Sequence, residues 1–234
     1  MSAFKKRPGD MLRVFFSPAR AVQMEPVKRY CRDHKLPYKK IPPEELNKVA
    51  ASVHHEGVVI VLKPVKPESA YSLIRRPLGR NTLLAALDSV SNTHNLGAIL
   101  RTCAFFGVEG LLVGDSEGQA ALSSSAARMA EGALETTPLY QASDLPSALR
   151  DLKEKGFYII GTDANSGVSL YDAKIKFPCV AVFGNEGAGI SDRTLKRCDA
   201  VVHIPSFSPV ESLNVSVAAG VTLSELRRRG SQKK

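Results

Sequence analysis

The feature that most constrains this chain is an alternation that begins at Thr82. Short apolar runs rich in branched residues (TLLAALDSV, GLLVG, YIIGTD, CVAVFG, AVVHIP) are separated by longer stretches with a helical apolar period. NLGAILRTCAFFGV, DLPSALRDLKEKG and LNVSVAAGVTLSELRRR are examples. Such runs suit strands buried on both faces, and a helix between successive strands makes them parallel. TPLYQA reads as one more short strand, and LSSSAARMAEGAL and SDRTLKRC as further helices. The expectation is an α/β domain in which helices cover a parallel sheet. There is no internal repeat.

The preceding residues follow a different plan. LRVFF reads as a strand, and Pro18 to His34 as a helix with Ala21, Met24, Val27 and Cys31 on one face. Pro26 falls inside that helix and should kink or split it. A short YKKI strand and the helix PPEELNKVAASV follow, the prolines of the latter suiting a first turn. VVIVL reads as a buried strand. The proline-rich stretch from Lys63 to Asn81 has no sustained apolar period and reads as a linker, centred on 64–80. The expected organisation is a small α/β domain over 1–75, a linker at 76–81, the larger domain over 82–228 and a basic tail at 229–234.

Charge separates the same two parts. The formal net charge is +9, but residues 1–80 carry 17 Lys/Arg against 7 Asp/Glu, whereas 81–226 carry 10 against 16. A basic module joined to an acidic one suits a polyanionic partner, with a lysine-rich solvated surface as the plain alternative. With 44% hydrophobic residues the chain can build a core, which excludes a wholly disordered protein. No apolar run reaches the roughly 18 residues of a membrane span. The start MSAFKKRPGD has no apolar core behind it and does not read as a signal peptide. Cys31, Cys103, Cys179 and Cys198 lie far apart, without metal-ligand spacing, and read as reduced cytoplasmic thiols rather than a zinc site.

In an open parallel sheet, ligands collect where strands end. Three strand ends here carry polar or glycine-rich sequence. In DSVSNTHNLGAILR the cluster Asn92, Thr93, Asn95 precedes a helix and can simply cap it. Arg101 interrupts an otherwise apolar helix, where a desolvated guanidinium needs an anion or a carboxylate. VFGNEGAGIS places three glycines around Glu186, in neither a dinucleotide fingerprint nor a phosphate loop. In HIPSFSPVESLNVS, Ser212 and Asn214 stand at the entry to the last helix, whose free amides favour an anionic ligand but also accept a cap. His94 and His203 are the only histidines of this half, and no serine-hydrolase set is evident.

The three motifs in this order (Asn-Leu-Gly with an arginine six residues after Asn95, GNEGxGIS, and IP…ESLNVSVAAG) resemble the SpoU/TrmH family of RNA ribose 2′-O-methyltransferases, of the SPOUT superfamily. The resemblance runs from Thr82 to Leu226. More loosely, the first 75 residues, ending in His55-Glu56-Gly57-Val58, resemble the ribosomal-protein-like RNA-binding domain many of these enzymes carry. The resemblance implies a trefoil-knotted sheet domain, a homodimer packed through the knot, no metal, no membrane, a cytoplasmic location, and tRNA or rRNA as substrate. It implies S-adenosylmethionine held by Gly184, Ile204 and Leu213, with Thr162 added from its strand end. Arg101, Asn95, Glu186, Ser212 and Asn214 match the family's catalytic set.

A guanidinium gives up its proton too reluctantly to be a good general base. The role expected of Arg101 is to clamp the adjacent phosphate and stabilise the developing alkoxide, with Asn95 and Glu186 orienting it. One departure stands out: family members often read IPMxGxVESLN, and here Ser206 and Ser208-Pro209 replace the methionine and glycine of that turn. The alternative functions are a knotted RNA- or ribosome-binding protein with little catalysis, and methylation of a base nitrogen.

Overall fold

The computed structural model describes residues 2–115, 126, 129, 130 and 132–231, with side chains from Phe4 onward. The chain divides into two compact units, 1–65 and 66–234. Much of the helix expected over 122–134, and the last three residues of the basic tail, lie outside the described residues.

The first unit opens with helix α1 (Ser2–Lys6) and holds three strands, β1 (Met11–Phe16), β2 (Tyr38–Lys40) and β3 (Val58–Leu62). Their order is β2-β1-β3, with β2 parallel and β3 antiparallel to β1. Met11, Val14 and Phe16 of the central strand pack on Met24, Val27 and Cys31. Helix α2 runs only over Glu25–Asp33, because Pro18–Arg20 forms a separate 3₁₀ turn. Pro26 therefore sits in a first turn, where its missing N–H costs nothing, and no kink is needed. Helix α3 covers Pro43–Ala50. Strand β3 is an edge strand and only half-buried, which corrects the expectation of a buried one.

The second unit is built on an eight-stranded sheet in which every pairing is parallel. Its strands are β4 (Glu68–Ser69), β5 (Leu83–Asp88), β6 (Leu111–Gly114), β7 (Leu139–Ala142), β8 (Tyr158–Thr162), β9 (Val168–Ser169), β10 (Cys179–Gly184) and β11 (Ala200–His203). The order is β4-β7-β6-β5-β10-β8-β11-β9. Its helices bounded within the described residues are α4 (Ala70–Arg75), α5 (Thr93–Phe105), α6 (Leu145–Glu154), α7 (Asp192–Leu195) and α8 (Val215–Ser231). Side-chain alternation along the strands divides the core in two. Leu83, Ala85 and Leu87 join Leu96, Ile99 and Leu100 of α5 and Leu223 and Leu226 of α8. Leu84 and Ala86 join Leu73 of α4 and Leu149 and Leu152 of α6.

The stretch 64–80 is not a plain linker. Strand β4 pairs with β7, and Ala70 and Leu73 of α4 are buried in the second unit's core. The boundary accordingly falls at 65/66, ten residues before the expected 75. Apolar contacts made by a six-residue helix are too few to show as a period in the sequence. All four cysteines are free, and burial pushes the Cys103 and Cys179 thiols up to about 12. Among the described residues no helix is long and apolar enough to cross a membrane.

Candidate functional site

From β5 the sheet continues to β6 and β7 on one side and to β10, β8 and β11 on the other. A ligand crevice is expected where the winding reverses, outside the carboxyl ends of these strands. Gly184 of β10 lies in register with Asp88 of β5 at that point.

The loop after β10 is braced from within. Asn185 and Gly189 exchange backbone hydrogen bonds of 2.9 and 3.0 Å. The Asn185 side-chain oxygen accepts from the amides of Gly187 (2.9 Å) and Ala188 (3.0 Å), and its Nδ2 donates to the carbonyl of Ser89 (2.8 Å). The buried Asp88 carboxylate accepts from the amide (2.9 Å) and hydroxyl (2.7 Å) of Ser191. Together these bonds close the loop between two fixed points and hold Glu186 at its tip.

Glu186 then meets the other two motifs. Its Oε1 accepts from Asn95 Nδ2 at 2.7 Å, and its Oε2 lies 3.4 Å from the amide and hydroxyl of Ser91. Asn95 Oδ1 accepts from Asn214 Nδ2 at 3.2 Å. Asn214 Oδ1 in turn accepts from the amide (2.9 Å) and hydroxyl (2.6 Å) of Ser216. One polar chain, Ser216–Asn214–Asn95–Glu186–Ser91, therefore joins residues about 120 positions apart in sequence. Asn95 is only 8% exposed, and both the nitrogen and the oxygen of its amide are engaged in this chain.

Burial works against the charged form of Glu186. Hydrogen bonds from Asn95 and from the amides of Glu186, Ser91 and Asn92 outweigh it and hold the carboxyl below the ordinary carboxylate range. A carboxyl depressed in this way stabilises the fold above its unfolded-state pKa and loses that contribution as pH falls through the folded value. Glu186→Gln should thus melt slightly below the wild type at pH 7, by under about 1 kcal/mol because the site is exposed. The gap should close near pH 3. Paired thermal melts at the two pH values check this, and a gap that widens in acid would contradict it.

The other expected residues fall as follows. Arg101 is exposed, six residues and so about 9 Å further along α5 than Asn95. The guanidinium is therefore not desolvated, contrary to the expectation, and burial demands no anion or carboxylate beside it. His94, Ala98, Arg101 and Phe105 line the outer face of α5, and Phe105 is 83% exposed. Ser212 is exposed and outside the polar chain, and Leu213 is 47% exposed. Ile204 is half-buried against the core, and the Thr162 hydroxyl donates to the carbonyl of Val182 at 2.9 Å. Gly184 is fully enclosed, and a Cβ there would fall inside contact distance of the Gly189–Ile190 backbone. The turn that departs from the family pattern is braced by its own serines: Ser206 Oγ lies 3.0 Å from the carbonyls of Ser208 and Val210. That turn presents Phe207, which is 99% exposed.

Asp88, Asn185 and Ser191 build the site but were not expected from the sequence. Asp88 carries a signal, since a carboxylate closing the apolar run LLAALD marks a strand's ligand-side end. Asn185 and Ser191 stand in the GNEGxGIS motif, but nothing in the motif indicates that they brace the loop.

Comparison with known proteins is consistent over the whole chain. The profile described as the SpoU rRNA Methylase family matches residues 82–224, and that described as RNA 2′-O ribose methyltransferase substrate binding matches 1–68. The chain is 38% identical over 186 residues to the 23S rRNA (guanosine-2′-O-)-methyltransferase RlmB of Neisseria meningitidis serogroup B, covering 80% of this chain and 74% of that protein. Among solved structures, the SpoU methyltransferase AviRb from Streptomyces viridochromogenes, in complex with AdoMet, aligns with a TM-score of 0.78 at 21% identity, over 99% of this chain and 87% of that one. The A. aeolicus TrmH/SpoU tRNA modifying enzyme is 30% identical with a TM-score of 0.58, over 70% of this chain and 83% of that one.

Proposed function

The chain belongs to the SpoU rRNA methylase family, and from that premise we propose that it transfers a methyl group from S-adenosylmethionine to a ribose 2′-hydroxyl of RNA. The observation that carries the reading is the polar chain of Asn95, Glu186 and Asn214. It draws the family's three motifs into one cluster at the carboxyl edge of the sheet.

The residues around that edge fit the cofactor. Adenine needs apolar cover and backbone groups within reach, and Leu213, Val210 and the half-buried Ile204 supply the former on one loop. Strand-end backbone at Gly184 and Ile204 supplies the latter. Gly189, at a φ of +71° and with open space at its missing Cβ, leaves the loop surface unobstructed. In this reading Gly184, Ile204 and Leu213 hold the cofactor. Thr162 contributes indirectly, because its hydroxyl is spent on Val182. S-adenosylmethionine supplies an electrophilic methyl group on a positive sulfur.

The protein's task is then to position the 2′-hydroxyl and to manage the charge that develops on its oxygen. Arg101, exposed on α5, can reach a substrate phosphate from outside the core and stabilise the alkoxide. Asn95 fixes the near end of α5 through Glu186 and Asn214. In this reading Ser212, exposed beside the polar chain, contacts substrate or cofactor. A knotted arrangement of the loops at 162, 184–189 and 204–213, a homodimer packed through that region and a cytoplasmic location complete the proposal. The apolar residues Phe105 and Val217, exposed on α5 and α8, suit such a dimer.

The test is methyl transfer from isotopically labelled S-adenosylmethionine to rRNA and to tRNA. The modified nucleotides are then mapped by mass spectrometry. The RlmB relative's name makes an rRNA guanosine the first target to examine. Label on a 2′-oxygen is the expected result. Label on a base nitrogen, or a folded protein that binds no cofactor at millimolar concentration, overturns it.

A further inference from the structure

The second unit carries a cationic feature at the opposite end of the sheet from the polar chain. A cleft of about 270 Å³ opens beside the amino ends of β5, β8 and β10. Arg76, Arg80 and Lys155 line it together with Leu78, Phe157 and Pro178, and no carboxylate contributes to its lining. The three cations come from separate segments: the end of α4, the loop into β5 and the end of α6. Only Lys155 belongs to 81–226, where Asp/Glu outnumber Lys/Arg by 16 to 10; Arg76 and Arg80 close the basic stretch 1–80, and the fold brings all three to one cleft.

The fold accounts for how they are kept there without acidic partners. Arg76 and Lys155 are the C-cap residues of α4 and α6, where the helix dipole favours positive charge. The Arg76 guanidinium donates to the hydroxyl of Tyr140, a neutral group that orients the arginine without cancelling its charge. Among the described residues no ion pair engages Arg76, Arg80 or Lys155, although Arg150 and Lys153 of the same helix each pair with carboxylates. Three cations facing one cleft repel one another, and an anion placed between them relieves that repulsion.

We propose that this cleft binds backbone phosphates of the RNA substrate, as an electrostatic anchor remote from the methyl-transfer site. The inference rests on the RNA-methyltransferase reading above. The five residue steps of β5 place the cleft roughly 17 Å from the carboxyl edge of the sheet, at ~3.3 Å per step. A phosphate held there belongs to a segment several nucleotides from the target ribose. Such a contact positions the RNA and raises affinity without reading its sequence.

The test uses the full chain and a fluorescent RNA stem-loop of about 30 nucleotides of arbitrary sequence, because phosphate contacts are sequence-independent. Affinity is measured across a salt series for the wild type and for the double variant Arg80→Gln/Lys155→Gln. Arg76 is left in place because Tyr140 is bonded to it. The double variant should bind several-fold more weakly. Its log–log salt slope should be shallower by about 1.5, as expected for two lost phosphate contacts. Lys174→Gln/Lys196→Gln, which removes the same charge outside the cleft, should change the slope by less than half as much. An unchanged slope, an equal change in the control, or a wild type that does not bind the RNA overturns the proposal. So does loss of inorganic phosphate binding by the variant with RNA binding intact, which would mark a small-anion site. Titration with S-adenosylmethionine on the same preparations separates the two readings. Cofactor binding with an unchanged salt slope sinks only the cleft, and a shallower slope without cofactor binding sinks only the methyltransferase.

Discussion

Arg101→Ala should reduce single-turnover methyl transfer by at least about a hundredfold while leaving the fold and cofactor affinity nearly unchanged. The size follows from removing a charge clamp that acts mainly in the transition state, on the order of 3 kcal/mol. The structure strengthens the separation of role from stability, because Arg101 is exposed on α5 while the helix buries Leu96, Ile99, Leu100 and Cys103. An exposed side chain of this kind contributes under about 1 kcal/mol to folding, whatever it pairs with. Arg101→Lys should restore activity only in part, since an ammonium cannot reproduce the planar fork on phosphate. Melting curves, cofactor titration and single-turnover assays on the same preparations decide the matter. A variant that is destabilised yet turns over normally would return Arg101 to a purely structural role.

Gly184→Ala should be among the most damaging single-methyl changes in the second unit. Its Cβ would be driven into the backbone of Gly189 and Ile190, which cannot rotate away as a side chain can. Relief requires opening the paired hydrogen bonds between Asn185 and Gly189, and Glu186 would move with them. Overpacking of a closed core costs about 1–3 kcal/mol even where side chains can adjust, so a loss at or above the upper end is expected. For a unit of this size that corresponds to a melting point lower by roughly 6–12 °C. Cofactor binding should be lost in the same variant. A variant with wild-type melting and wild-type cofactor affinity would show that the loop has a second packing the structure does not reveal.

The reason for that glycine illustrates what could be read in advance. The sequence indicates a glycine-rich turn after a strand and suggests a close approach of backbone to ligand; the close approach found is of the protein to itself. Strand and helix cores of the second unit were legible because six-residue apolar runs and thirteen-residue helical periods are long signals, as in β5 and α5. Strands β4 and β9, two residues each, give no periodic signal and were not anticipated. The NTHN cluster holds both of its possible readings. Asn92 caps α5 by accepting from the amide of His94 at 2.8 Å, while Asn95, three residues later, turns to Glu186. The outer stripe of positions 94, 98, 101 and 105, exposed except at the half-buried Ala98, is present in the spacing of α5. It was masked because Ala98 and Phe105 are apolar and made the helix look buried all round. Contacts such as Asp88 to Ser191, which span 103 positions, leave no local trace.

Strand β10 has a consequence for how the protein comes to be made. It fills the slot between β5 and β8, pairing Cys179 with Leu83 and with Tyr158, although β5 is synthesised nearly a hundred residues earlier. Until β10 leaves the ribosome, β5, buried at every position in the finished protein, has a partner on one side only. A growing chain therefore carries an unpaired apolar edge while nearly a hundred residues are added, the kind of edge that templates association with other chains. Closing the sheet also brings together segments far apart in sequence, a step slowed by the entropy of the intervening loop. Slow folding and a need for protection during translation follow from strand order alone, whatever reaction the finished sheet supports.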